Sequence, residues 1–192
     1  MATIKQEFLA SLGKYTSDSN QQQAMWTEVE KNYTMSGRHY HNLDHLDSML
    51  TELKIYKDRF GSWDTMIFAI TYHDLIYSSL KSNNEERSAK VASKRLSAIS
   101  YPEKLIAFCQ HLILATKKHE LSDAETNLFI DADLAILGSD TKTYQEYSKK
   151  IRHEYSIYRD VIYNSGRKKV NSVLNVWSGI GINGIKCQGN GF

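Results

Sequence analysis

His73 and Asp74 stand side by side in a run that is otherwise apolar or aromatic apart from Thr71: Ile67, Phe68, Ala69, Ile70, Thr71, Tyr72, His73, Asp74, Leu75, Ile76, Tyr77. Wound as a helix, this run is apolar on nearly every side, the pattern of a buried helix. A carboxylate in such a place is costly unless something positive compensates it. An arginine or lysine, a hydrogen-bond network or a bound cation would each serve. The same difficulty recurs downstream, where Leu128, Phe129, Ile130, Ala132, Leu134, Ala135, Ile136 and Leu137 surround Asp131 and Asp133. Neither segment carries a lysine or an arginine, which makes a metal ion the best of the three. Upstream, Leu43, Leu46, Leu50 and Leu53 form one stripe at helical spacing, and His41, His45 and Met49 run along an adjoining line. At about 100° per residue, His45 falls nearer the leucines, so it is expected to face inward and His41 to sit shallower.

His45, His73, Asp74 and Asp133 (or Asp131) thus offer two imidazoles and two carboxylates from three helices. A mixed nitrogen and oxygen set suits one divalent ion of Mn, Fe, Co, Ni or Zn, and with more water Mg. With four protein ligands, an octahedral ion keeps two positions for water or a substrate oxygen. A further line of residues, His111, Ala115 and His119, shares one helical face, with Thr116 just before His119.

The elements that must position these groups read as helices throughout. The single proline, Pro102, leaves long uninterrupted segments, and no strict period-two alternation or long-period repeat occurs. Helices are predicted over 3–14, 20–34, 41–60, 63–77, 84–99, 102–119, 123–137, 141–155 and 156–170. Gly61 is expected to end one helix in the left-handed conformation, Pro102 to sit in a first turn, and Ser122 with Glu125 to form a capping box. Residues 1–170 are expected to form one all-α domain. Residues 171–192 hold Gly179, Gly181, Gly184, Gly189 and Gly191; this tail is expected to be poorly ordered or a divergent terminus, since glycine disfavours helix.

The chain has 192 residues and a net charge of +2, which points to neither nucleic acid nor an acidic membrane. Its small basic clusters, Lys149, Lys150 and Arg152, then Arg167, Lys168 and Lys169, read as solvated helix faces, because base-reading motifs are absent. Two cysteines, Cys109 and Cys187, do not make a disulfide framework and fit a reducing compartment. No signal peptide and no membrane helix are expected, which together favour the cytoplasm.

In this order the residues resemble the HD-domain superfamily, whose members include metal-dependent phosphohydrolases. They resemble in particular a subgroup of predicted metal-dependent phosphohydrolases of uncharacterised substrate. The matching stretches are Arg38-His39-Tyr40-His41-Asn42-Leu43-Asp44-His45-Leu46 and Tyr72-His73-Asp74-Leu75-Ile76-Tyr77. They continue in Asn84-Glu85-Glu86-Arg87-Ser88-Ala89, Ala115-Thr116-Lys117-Lys118-His119 and Asp131-Ala132-Asp133-Leu134-Ala135-Ile136-Leu137-Gly138. The chain departs from the family after Lys169, where a helical continuation gives way to Asn171, Ser172, Val173 and the glycines.

The resemblance implies a single-domain multi-helix bundle with His45, His73, Asp74 and Asp133 as metal ligands. Asp133 is preferred to Asp131 because the family's final acid follows a small residue, here Ala132. It implies hydrolysis of a nucleotide or other small phosphate ester by a metal-activated water. Asp74, Glu85 or Glu86 would orient that water or take its proton. Arg38 and Lys117, with Lys118, would hold phosphate, Tyr40 would hydrogen-bond nearby, and His119 would contact phosphate or hold a second metal. The blander reading makes the two glutamates first-turn residues complementing a helix dipole and the cations solvent-facing. The expected partner is a small phosphorylated molecule, with no nucleic acid or membrane and an oligomer left open. Two other functions fit the same residues: a non-catalytic metal- or ligand-binding regulatory domain, and a di-iron oxygenase-like variant that needs His111 and His119 to converge with Asp74.

Overall fold

A computed structural model describes residues 2–164, which are all-helical and contain no strand. Eight α-helices follow one another: α1 (Ile4–Leu12), α2 (Ser19–Tyr33), α3 (Leu43–Lys54), α4 (Trp63–Tyr72), α5 (Asn84–Ser97), α6 (Glu103–Ala115), α7 (Ala124–Leu134) and α8 (Thr141–Glu154). Tight turns at Lys57–Arg59 and Ala135–Gly138 follow α3 and α7. The expected tail over 171–192 lies outside the described residues, as do Cys187 and the last part, 165–170, of the expected helix 156–170; within the described part of that helix, helical structure resumes only at residues 160–164. Among the described residues no helix is long and apolar enough to cross a membrane.

Short polar side chains set the starts. Thr3 and Gln6 form a reciprocal box on α1, and Asp18, Asn42, Ser62, Asp123 and Asp140 each accept backbone N–H groups at the next helices, the groups a helix N-terminus cannot satisfy itself. Asp123, not Ser122, caps α7, because its carboxylate reaches the amides of Glu125 and Thr126. Gly61 does not enter the left-handed region; α3 has already ended at Lys54, and Gly61 instead leads into the Ser62 cap.

α4 is the centre of the bundle. Every residue from Asp64 to Tyr72 is buried, and the helix packs against α1, α3, α5 and α6. Phe8 of α1 meets Phe68 and Tyr72 edge-on at 5.8 and 5.9 Å. Asp64, buried at the first turn of α4, accepts bonds from Ser11, Lys14 and Tyr15, which fixes the end of α1 on the start of α4. α7 lies against α3 and α6, and α8 packs against the turn after α7. The ends of α3, α4 and α7 therefore meet in one region.

Three expected helices are shorter than their apolar patterns. The first starts at Leu43, not 41, because Asn42 caps it. The second stops at Tyr72, not 77, and the third at Ala115, not 119. His41, Asp74 and His119 consequently lie in loops beside helix ends.

Candidate metal centre

His45 occupies the first turn of α3, where the Asn42 side chain accepts from the amides of Asp44 and His45. It is buried with Leu46 and Met49. His73 caps α4: its amide donates to Ala69 O at 2.9 Å, and its Nδ1 donates to Ile70 O at 2.9 Å. A carbonyl only accepts, so Nδ1 carries a proton, and when the ring is neutral its Nε2 presents a lone pair. A bond from the far ring nitrogen to a carbonyl is the usual support of a metal-binding histidine. Asp74 follows in the turn, its amide on the Tyr33 hydroxyl at 3.3 Å. Asp133 lies in the last turn of α7.

These groups converge. Ligand atoms of His45, His73 and Asp74 all lie within 4.8 Å of one another. The two histidine Nε2 atoms are 3.3 Å apart, and Asp74 Oδ2 is 3.3 Å from His73 Nε2. Asp133 joins from the histidine side, with Oδ1 3.1 Å from His45 Nε2 and 3.7 Å from His73 Nε2. Donors bonded at about 2.1 Å to one ion and at right angles stand about 3 Å apart, so the spacing fits a shared cation. Charge fits as well. Burial alone would push Asp74 and Asp133 up, yet the neighbouring imidazoles hold both below the usual carboxylate range. Burial opposes charge on His73, but Asp74 and Asp133 outweigh it and raise its pKa to about 9. On His45 burial prevails, and the pKa is lowered despite Asp133. The two carboxylates call for positive charge at this point, which an imidazolium or a bound cation supplies.

The other residues named from sequence fall into two groups. His119 stands beside Asp133, Nε2 to Oδ2 at 3.4 Å, with a positive φ of 54°, uncommon outside glycine. Tyr40 lays its ring 5.0 Å from that of His45. Both line a cavity of about 520 Å³ that also reaches Asp74, Asp133, Glu85 and Lys117. Arg38 does not face it. Its guanidinium donates to the carbonyls of His41, Asp74 and Leu75 and lies over the rings of Tyr33 and Tyr77. Lys117 is bonded to Glu86 and to Ser82 O, which ties Glu86 at the surface. Asp131 makes no ion pair with either imidazole among the described residues, and its Oδ2 is buried without a hydrogen-bond partner. His111 lies on an exposed face beside Ser122 and Asp123, away from Asp74, so the paired arrangement needed by a di-iron variant is not formed.

Sequence reasoning missed Glu154, whose side chain is fully buried. It accepts from the amides of Tyr40 and His41 at 2.7 and 2.9 Å, from the Tyr77 hydroxyl at 2.9 Å, and from His41 Nδ1 at 2.6 Å. Facing a carboxylate, His41 Nδ1 is the donor, and Nε2 turns toward Asp74, 3.9 Å from Oδ2. Burial would depress His41, but Asp74 and Glu154 raise its pKa above the ordinary value. The only sequence signal for Glu154 is one acid closing an amphipathic basic helix, which is indistinguishable from a solvated charge. Comparison with protein-family models, curated proteins and solved structures finds no match.

Proposed function

We propose that this chain is a metal-dependent phosphohydrolase of the HD-domain type, acting on a small phosphate ester. The convergence of His45, His73, Asp74 and Asp133, whose two acids open onto one cavity, carries this reading. A divalent ion held by these four residues would supply Lewis acidity toward a phosphoryl oxygen and a more acidic bound water. The protein's own groups account for the rest. Glu154 holds the proton of His41 on Nδ1 and leaves Nε2, beside Asp74, to accept a proton. Glu85 lines the same cavity and is a second acceptor. Lys81, also on the lining, and the Nε2 face of His119 meet the phosphate, while Arg38 braces the His41 and Asp74 backbone from below.

The test begins with protein purified without chelator. Bound metal is measured, and phosphate esters are screened with Mn, Co, Ni and Mg. Turnover that depends on metal and is lost in His73→Ala and Asp133→Asn is the expected result. A loaded chain that hydrolyses no ester overturns the reading. One observation favours a second function, a regulatory domain that holds a metal without turnover: Arg38 and Lys117 are both engaged by protein groups. In that case His73→Ala lowers the melting temperature, and no ester is consumed by the native chain.

A further inference from the structure

The cavity onto which Asp74 and Asp133 open is large for a bare phosphate. About 520 Å³ is the size of a pocket for a ring-bearing small molecule. Tyr40, Tyr77, Tyr147, Tyr155 and Tyr158 contribute aromatic surface to it, and Leu134, Ile136, Leu137 and Ile151 contribute aliphatic surface. Few lining polar groups are left to read the hydrogen-bonding edge of a nucleobase. Both amide hydrogens of Asn84 go to backbone carbonyls, of Ser78 and Lys81, and its oxygen accepts from Ser78 N. The Thr116 hydroxyl donates to Ile113 O, Tyr158 to Ser79 O, and Tyr77 to Glu154. A pocket that recognises a polar ring needs donors and acceptors aimed at it, since a buried polar edge left unpaired costs binding.

The charges point the same way. No arginine lines the cavity among the described residues, and Lys117 is already paired with Glu86. Lys81 remains, with Glu85 beside it on the lining. A triphosphate carries several charges that one lysine and one divalent ion do not balance, and polyphosphate sites rely on backbone cradles and clustered cations. Among the described residues no glycine lines this cavity.

We infer that the cavity selects phosphomonoesters whose alcohol part carries an aromatic ring, and disfavours nucleoside di- and triphosphates. This rests on the hydrolytic reading above. In the reaction, water attacks phosphorus, the bond from phosphorus to the ester oxygen breaks, and the alcohol leaves with one proton, giving inorganic phosphate. The ring packs offset or edge-on among the tyrosines, and the phosphoryl group lies toward Asp74, Asp133 and His119.

Two measurements on the full chain loaded with Mn separate the parts. Binding is read by calorimetry with 2-naphthylmethylphosphonate, methylphosphonate and a non-hydrolysable ATP analogue. Turnover is read as kcat/KM for 2-(2-naphthyl)ethyl phosphate and ethyl phosphate, whose leaving alcohols are similarly basic. The naphthyl compound is expected to win by at least about tenfold in both, consistent with burying one ring, and the ATP analogue to bind no tighter than methylphosphonate. Leu137→Ala is expected to shrink the naphthyl preference by about threefold or more. Equal binding of the two phosphonates, or tighter binding of the ATP analogue, overturns the inference even if esters are hydrolysed. Strong naphthyl preference in binding with no turnover of either ester supports the pocket and overturns the hydrolytic reading instead.

Discussion

Asp131 and Asp133 are the same residue type two positions apart on α7, and their surroundings give them opposite properties. Asp133 meets His45, His73 and His119. Asp131 meets none of them; burial pushes its carboxyl up to about 6, and Oδ2 has no partner. An acid that holds its proton more tightly when folded adds stability below its unfolded pKa and loses it as pH rises through the folded one. Asp131→Asn is therefore expected to stabilise the protein by about 1 kcal/mol at pH 7.5, discounted for partial exposure, and by close to nothing at pH 4. Urea unfolding of both proteins at the two pH values measures this, and bound metal should be unchanged. Asp133→Asn should lose the metal. Periodicity could not separate the two acids, because apolar residues cover every side of α7 and no stripe marks an inner face. His45 was more legible, lying beside a leucine stripe. Glu154 was not legible, since its partner His41 is 113 residues away in sequence.

Helix ends, more than helix interiors, shape the site. The apolar pattern runs on through Tyr77, yet α4 stops at Tyr72 because distant groups capture the carbonyls that follow. Arg38 takes those of Asp74 and Leu75, while the nearby His73 ring takes that of Ile70 in the last turn itself. Such long-range capping leaves no trace in local periodicity, so the sequence marks the helices well and their ends poorly. Arg38→Ala is expected to cost about 2–4 kcal/mol by leaving those carbonyls unpaired. Arg38→Lys should recover only part, since an ammonium cannot copy the planar fork; chemical denaturation of both variants checks it. α8 is tied in by a similar device. The His41 side chain and two backbone amides hold Glu154 down to about 2 against the upward pull of burial. Its pKa is lower folded than unfolded, so its contribution is complete above about 4.5 and disappears as pH falls toward about 2. Glu154→Gln is expected to cost about 2–3 kcal/mol near neutrality, and the gap from the native protein should close on acidification below pH 4.5.

Across the whole molecule, α4 makes the bundle and the ligand cluster joins its ends. Packing of α4 against four helices builds the core mainly from apolar contacts, which is why an all-helical fold is readable from composition and spacing. The cluster adds a different constraint, since His45, His73 with Asp74, and Asp133 come from α3, the end of α4 and α7. An ion bound there holds three separated chain segments only when they are folded together, so its binding free energy adds to stability. At a free concentration of one hundred times Kd the gain is about 2.7 kcal/mol. For a chain of this size that corresponds to about 5–10 °C in melting temperature. Excess chelator should lower the midpoint by that amount, and a suitable divalent ion should restore it. Asp131→Asn should keep the response, whereas His73→Ala and Asp133→Asn should lose it, melting at one temperature with or without metal. This comparison separates a cation site from a self-sufficient polar cluster. If His73 and the two acids merely satisfy one another, their replacement still destabilises the fold, but Mn, Fe, Co, Ni, Zn and Mg all leave the native midpoint where chelator puts it.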